Sequence, residues 1–366
     1  MAVGDKKDKQ DPVDFKHLHT ALHGDTVEII LHPKNLAGKG RQTAEVSKII
    51  TRVKIRFAGV IEKEGNMFFL KPDDTRMYTD ILIPENALAV EKAGLPAQAG
   101  EKVLVEIVAW TDARKAPEGK VVKVLGKPGD NNVEMHAIAI EKGFDSELPK
   151  KVYQEAEQIK LGGIKESDYL GRRDFRKTLT FTIDPYDAKD FDDAISFKEL
   201  INDEYEVGIH IADVSHYVKP GTALDDEARG RGTSVYLVDR TIPMLPEELS
   251  NVLCSLVPNK DRLTMSAVFI MDKHAKVKGE WYGRTVIHSQ KRFTYEEAEE
   301  SIKHSGTPLH KELATLNGLA KKLTAERFAQ GAISLDQEEV KFVLDSMGVP
   351  IKVMTKVRGD SNRLIE

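Results

Sequence analysis

Thr182-Ile183-Asp184-Pro185-Tyr186-Asp187-Ala188-Lys189-Asp190-Phe191-Asp192-Asp193-Ala194 sets five aspartates within ten residues, between two apolar segments. On the near side, Leu179, Phe181 and Ile183 alternate and predict a half-buried strand. That strand delivers Asp184 at its end, where Pro185 cannot continue a central ladder. On the far side Ala194-Ile195-Ser196-Phe197 predicts a second, buried strand, so the acids cannot all escape to solvent as an ordinary acidic surface turn would. In an extended backbone Asp190 and Asp192 point to one side and Asp193 to the other. Carboxylates crowded in this way repel one another, more strongly in a low-dielectric pocket, unless a cation compensates. Oxygen ligands suit Mg²⁺, with Mn²⁺ as a substitute. Two such ions can activate water, hold a scissile phosphate and stabilise the departing oxygen, so phosphodiester hydrolysis is the expected chemistry. An EF-hand does not fit, because Lys189 stands where the sixth loop position needs glycine and Ile195 where the twelfth needs glutamate.

Downstream, strand patterns near 194–198 and 205–212 alternate with helical ones at 222–231, 246–256, 294–303 and 308–330, before strands at 339–345 and 350–357. This mixture predicts an α/β or α+β domain. Thr294-Tyr295-Glu296-Glu297 fits a capping box, and Gly331 fits a helix stop. Arg358-Gly359-Asp360-Ser361 reads as a further helix start with little more than one turn of chain after it, so this domain is expected to be incomplete at its C-terminus.

Upstream, 145–171 reads as a connector whose helix is opened by Leu148-Pro149, patterned by Val152, Ala156 and Ile159, and closed by Gly162-Gly163. From Val27 to Trp110 the chain falls into short runs: Val27–Ile30, Arg56–Ile61, Met67–Leu70, Asp80–Ile83 and Lys102–Val108. Polar turns separate them, which predicts a five-stranded OB-type barrel of the kind that binds single-stranded nucleic acid on aromatic platforms. Phe57, Phe68, Phe69 and Tyr78 are the candidate platforms, and strand alternation lets at most one of Phe68 and Phe69 face outward.

A chain of 366 residues suits two or three domains, and 40% hydrophobic with 31% charged residues is enough apolar material for sizeable cores. No apolar run approaches the roughly 18–20 residues of a membrane span, and Met1–Gln10 carries no apolar signal segment, so a cytoplasmic, membrane-free protein is expected. Cys254 is the one cysteine, which excludes internal disulfides and cysteine-based metal sites; it falls in the amphipathic pattern of Leu249, Val252, Leu253 and Leu256 and reads as core. The net charge of −5 argues against an indiscriminate nucleic-acid coat. Basic residues cluster nonetheless, at Arg52, Lys54 and Arg56, at Lys115, Lys120, Lys123 and Lys127, and at Arg172, Arg173, Arg176 and Lys177, either lining a channel or as solvated faces. His210 ends the apolar alternation Val207, Ile209, Ile211 and reads as a buried hydrogen-bonding residue; neither it nor His216 is needed as a base.

Taken together, the aspartate segment, His210-Ile211-Ala212-Asp213-Val214-Ser215-His216-Tyr217-Val218, Arg231-Gly232-Thr233-Ser234-Val235-Tyr236-Leu237, and Pro243-Met244-Leu245-Pro246 with Leu249-Ser250-Asn251 resemble the ribonuclease II and ribonuclease R family of exoribonucleases, the R branch more than the II branch. Ala21-Leu22-His23-Gly24-Asp25 and Phe69-Leu70-Lys71-Pro72-Asp73-Asp74 resemble the family's cold-shock, OB-type domains. The resemblance implies an RNB catalytic domain that degrades single-stranded RNA processively from its 3′ end to nucleoside 5′-monophosphates, with Mg²⁺ in a two-metal mechanism. It implies that Asp184, Asp190, Asp192 and Asp193 are the catalytic, metal-holding aspartates, and that loss of Asp192 abolishes cleavage. It implies that Tyr236 stacks near the scissile end and sets the length of the last product. Asp187 falls at a variable place in the motif and receives no role.

The division expected on this basis is a partial first cold-shock domain with a polar tail at 1–50, a second cold-shock OB domain at 51–130, a helical connector at 131–171, and the N-terminal part of an RNB domain at 172–366. The family's later arginine-containing motif and its S1 domain have no counterpart here. The alternative to an active hydrolase is therefore a catalytically impaired RNA-binding fragment; a two-metal DNA nuclease is a third reading, since carboxylates alone do not distinguish sugars. No obligate protein partner is inferable.

Overall fold

This computed structural model describes residues 13–33, 43–90, 96–145, 147–334, 340–345, 348–355 and 358–366. The expected polar tail and the outer ends of the two last predicted strands lie outside the described residues. Two compact units divide the chain, Met1–Ser146 and Glu147–Glu366.

In the first unit, β1 (Thr26–Leu31) and β2 (Ala44–Thr51) form an antiparallel pair over a small core of Val13, Ala21, Ala44 and Val46. The strands β3 (Arg56–Glu64), β4 (Met67–Pro72), β5 (Ile81–Ile83), β6 (Lys102–Ala109) and β7 (Glu118–Gly126) then close a five-stranded barrel. The barrel differs from the sequence expectation in one strand: Val27–Ile30 belongs to the β1–β2 pair, and β7 takes its place. Lysines and glycines dilute the apolar pattern of β7, yet Val121 still reaches the core beside Val103 and Val105. Gly59 in β3 permits the close approach of β4, since a Cβ there would strike the Lys71 carbonyl. Phe57 is 2% exposed inside the barrel and Phe68 packs partly against the same core, so neither is an open stacking platform. The helix α1 (Asn131–Glu141), capped by Asp130, lays Ala137 on Ala58 and Leu104.

The second unit opens with α2 (Lys150–Gly162), which starts after Pro149 and stops at Gly163. A seven-stranded sheet follows, built from β8 (Arg173–Asp174), β9 (Leu179–Asp184), β10 (Asp193–Glu199), β11 (Glu204–Ala212), β14 (Asp261–Asp272), β15 (Val277–His288) and β16 (Lys291–Thr294), in the order β16-β9-β10-β11-β14-β15-β8. The pairs β16/β9 and β15/β8 are parallel and the rest antiparallel, an α+β arrangement. Between β11 and β14 lie α3 (Val214–Tyr217), α4 (Ala223–Arg231) and the short pair β12 (Val235–Tyr236) and β13 (Thr241–Ile242). The predicted helix at 246–256 is instead a π-helical turn, Glu248–Leu253, in which the Cys254 amide donates to the Leu249 carbonyl, five residues back, at 2.8 Å.

Alternation sends Ala194 into one core, with α2, α4 and the π turn, and Ile195 into the other, with α5 (Tyr295–Lys303), α6 (His310–Ala329) and α7 (Asp360–Ile365). Helices thus cover both faces at β9 and β10, whereas Ile209 and Ile211 of β11 and Met265 of β14 stay exposed; β9, between β16 and β10, is buried along both faces rather than half-buried, Thr180 and Thr182 included. A last hairpin pairs β17 (Val340–Leu344) with β18 (Pro350–Thr355).

Candidate active site

Pro185, without an N–H, ends β9 and turns the chain into the loop that carries the acids. The Ala188 amide closes the first turn on the Pro185 carbonyl at 3.1 Å. From β16, Arg292 donates through Nη2 to the carbonyls of Pro185 and Tyr186 and lies over the Phe191 ring, its carbon 5.5 Å from the ring centroid. Phe191 is buried in the core between Asp190 and Asp192. On its other flank the loop meets Ser255, whose Oγ accepts from the Phe191 amide at 3.0 Å and donates to the Lys189 carbonyl at 2.7 Å. The Leu256 amide donates to the Phe191 carbonyl at 2.9 Å, and the Ala212 amide to the Asp192 carbonyl at 3.0 Å.

Asp184, at the last position of β9, lies beside Thr294 in the parallel register with β16. It is 7% exposed, and its Oδ2 has no hydrogen-bond partner. Burial first, then the negative charges of Asp193 and Asp190, push its carboxyl up to about 6, against the pull of the nearby Thr182 hydroxyl and of Arg292. Asp193 opens β10 opposite Ile211, and burial raises its carboxyl as well. Asp192 keeps an exposed surface, yet the surrounding atoms desolvate its carboxyl enough to raise it, with Asp190 and Asp193 adding repulsion. Tyr236, in β12, donates from Oη to Asp190 Oδ2 at 2.6 Å. That bond, with partial burial, pushes the phenol up to about 12, while the residue as a whole stays 64% exposed. Asp187 is exposed.

Of the four aspartates named from the sequence, Asp184 feels the charges of Asp193 and Asp190, Asp192 feels those of Asp190 and Asp193, and Tyr236 is tied to Asp190. Raised carboxyls and an orphaned buried oxygen describe an anionic pocket short of counter-charge, and its all-oxygen donor set fits a hard divalent cation. Among the described residues no three histidine, cysteine or carboxylate side chains converge into a ligand shell. A cation here would be completed by water and by phosphate oxygens, as hard divalent ions commonly are.

His210 is fully buried between Ser266 (Nδ1, 2.6 Å) and Ser196 (Nε2, 2.8 Å), and desolvation pushes it down to about 3, a neutral hydrogen-bonding residue as its strand pattern suggests. His216 faces Asp168 at 3.6 Å. Cys254 is buried in the core, its thiol pushed up to about 12 by burial. Arg292 and Ser255 escape sequence reasoning, because neither stands in a spacing that announces contact with a loop so distant in the chain.

Residues 172–366 match the RNB domain, and residues 69–149 match the cold shock domain. Ribonuclease R of Thermotoga maritima is 38% identical over 94% of this chain and 48% of its own length. DIS3-like exonuclease 2 of Xenopus tropicalis is 39% identical over 72% of this chain and 34% of its own length. Among solved structures, Mycoplasma genitalium RNase R in complex with ribose-methylated single-stranded RNA aligns with a TM-score of 0.85 at 26% identity, over 96% of this chain and 55% of that one. The chain spans about half the length of the curated ribonuclease R it matches.

Proposed function

Because the chain belongs to the RNB-domain family, we propose that it serves RNA breakdown as a 3′-to-5′ exoribonuclease that releases nucleoside 5′-monophosphates with Mg²⁺. The observation that carries this reading is the unpartnered, buried oxygen of Asp184 among raised carboxyls inside the RNB match. Bound Mg²⁺ would supply charge neutralisation for the scissile phosphate and acidify the attacking water.

The chain's own residues divide the remaining work. The buried Asp184, at the end of β9, and the half-buried Asp193, at the start of the neighbouring β10, form the sheltered side of the site and hold negative charge where water is scarce. Asp192, with its exposed surface, is the acid that a phosphate entering from solvent meets. Tyr236 offers an exposed ring on which a base can stack, while its Oη tether to Asp190 links the stacked position to the acid loop. The Arg292 bonds to Pro185 and Tyr186 fix the start of that loop. A divalent cation at this site has Asp184, Asp190, Asp192 and Asp193 as its candidate holders.

The test is incubation of the chain with 3′-labelled single-stranded RNA and Mg²⁺. Labelled mononucleotide is the expected product, and Asp192→Asn should reduce it by at least about two orders of magnitude, the scale of losing one group that stabilises transition-state charge, with RNA binding retained. Turnover unchanged in Asp192→Asn would sink the assignment. The second reading, an RNA-binding module without catalysis, is favoured by the absence of a closed ligand shell among the described residues. A stable gel shift without products would decide for it.

A further inference from the structure

We propose that Ser255 is a positioning residue for Asp190 and Asp192, acting through the backbone of the loop that carries them. This rests on reading those aspartates as metal holders. Ser255 is fully buried, and its single hydroxyl bridges the two peptides that flank Asp190: it donates to the Lys189 carbonyl at 2.7 Å and accepts from the Phe191 amide at 3.0 Å. Holding both fixes the direction in which Asp190 leaves the backbone. The residue after Ser255 continues the clamp, because the Leu256 amide donates to the Phe191 carbonyl at 2.9 Å. Ser255 is itself held: its carbonyl accepts from Nε of the buried Arg262 at 2.7 Å, and Nη2 of the same arginine donates to the Val252 carbonyl at 2.9 Å. The loop thus leans here on the segment that follows the π-helical turn and on Arg262 of β14, as its start leans on Arg292 of β16. A hydroxyl one shell outside the ligands commonly sets their orientation, and its loss weakens metal binding with the ligands intact.

The experiment is a Mn²⁺ titration of the full chain, with free Mn²⁺ counted by electron paramagnetic resonance, on wild type, Asp192→Asn and Ser255→Ala. Hydrogen–deuterium exchange of the peptide covering 186–194 is measured on the same samples. Asp192→Asn is expected to lose the site with loop exchange unchanged. Ser255→Ala is expected to weaken Mn²⁺ binding roughly 10–100-fold and to speed exchange of the loop. A merely structural serine would lower the melting temperature and leave the affinity of the folded protein alone. Wild-type Mn²⁺ affinity in folded Ser255→Ala, alongside loss in Asp192→Asn, overturns the positioning role and leaves the metal reading standing. Equal titrations of wild type and Asp192→Asn overturn the metal reading and this proposal with it. Should Ser255→Ala not fold, Ser255→Cys keeps a small group with a poor donor; a roughly tenfold loss is then expected, and wild-type affinity overturns the proposal.

Discussion

Asp184 shows how a single carboxyl links function to stability. Its folded value, about 6, lies above the ordinary 3.8, because burial and two acidic neighbours disfavour the charged form. Between those values the folded chain holds the proton that the unfolded chain has released. Stability from this group is therefore fully present below the unfolded value and falls as pH rises through the folded one. The loss amounts to about 3 kcal/mol at about 1.4 kcal/mol per pH unit. Asp184→Asn removes the charge while keeping the shape. In EDTA at pH 7.5 the variant is expected to be about 2–3 kcal/mol more stable than the wild type, with the difference shrinking toward zero near pH 4. Thermal melts of both proteins across this range check it, and parallel curves for the two would refute it. A site that stabilises the chain when its acid is deleted is one kept for binding rather than for folding.

The start of α5 supplies a prediction for an element. Thr294 Oγ1 accepts from the Glu297 amide at 3.1 Å, and the Glu297 carboxylate accepts from the Thr294 amide at 2.9 Å, a reciprocal cap at the residue that pairs with Asp184. Thr294→Ala leaves a helix amide without its acceptor and is expected to cost about 1 kcal/mol, a drop of about 2–4 °C in a unit of this size, whereas Thr294→Ser retains stability. Melting unchanged in Thr294→Ala would show that the cap contributes nothing. This cap was legible in the sequence because both its partners lie within four residues, as do the Pro185 stop of β9 and the Gly163 stop of α2. The long hairpin β14–β15 was not legible. Its turn runs through Lys273, His274 and Ala275, with Ala275 at φ 64 where glycine or asparagine would have signalled the bend, and the Asp272 carboxylate holding the His274 and Lys276 amides. The parallel pairing of β16 with β9 was hidden for a different reason: Arg292 reaches the Pro185 carbonyl across 107 positions, a distance over which no local pattern carries information. The crowding of acids could therefore be read from their spacing, and the resemblance singled out four of the five, but the two residues that brace their loop left no such signal.

Over the whole molecule, the sign and placement of charge bear on how the proposed RNA substrate would be held. The three basic clusters could have lined a channel, yet many of their members are already engaged. Lys54 meets Asp74 at 2.7 Å, Arg56 meets Glu106 at 2.8 Å, and Arg52 donates to the Thr20 carbonyl at 2.8 Å. Arg172 is buried against Asp213 at 2.6 Å, Arg173 pairs with Glu206 at 2.7 Å, and Arg176 pairs with Asp174 at 2.7 Å. A cation that has already surrendered its counterions to a carboxylate releases few more on meeting a phosphate, and the net charge of −5 adds long-range repulsion. Single-stranded RNA binding releases about 0.7 counterion per phosphate neutralised, so full engagement of the clusters would give a slope of log K against log salt near about −8. Lys120 also meets Glu106 at 3.4 Å and Lys123 is engaged as well, so with the pairs intact the three remaining lysines, Lys115, Lys127 and Lys177, would give a slope of about −2. Stacking on Tyr236 would add affinity that salt barely touches. Fluorescence anisotropy of a labelled single-stranded RNA in EDTA, from 50 to 300 mM KCl, measures that slope. A value steeper than about −5 would mean that these ion pairs open when RNA arrives and that the clusters contact it.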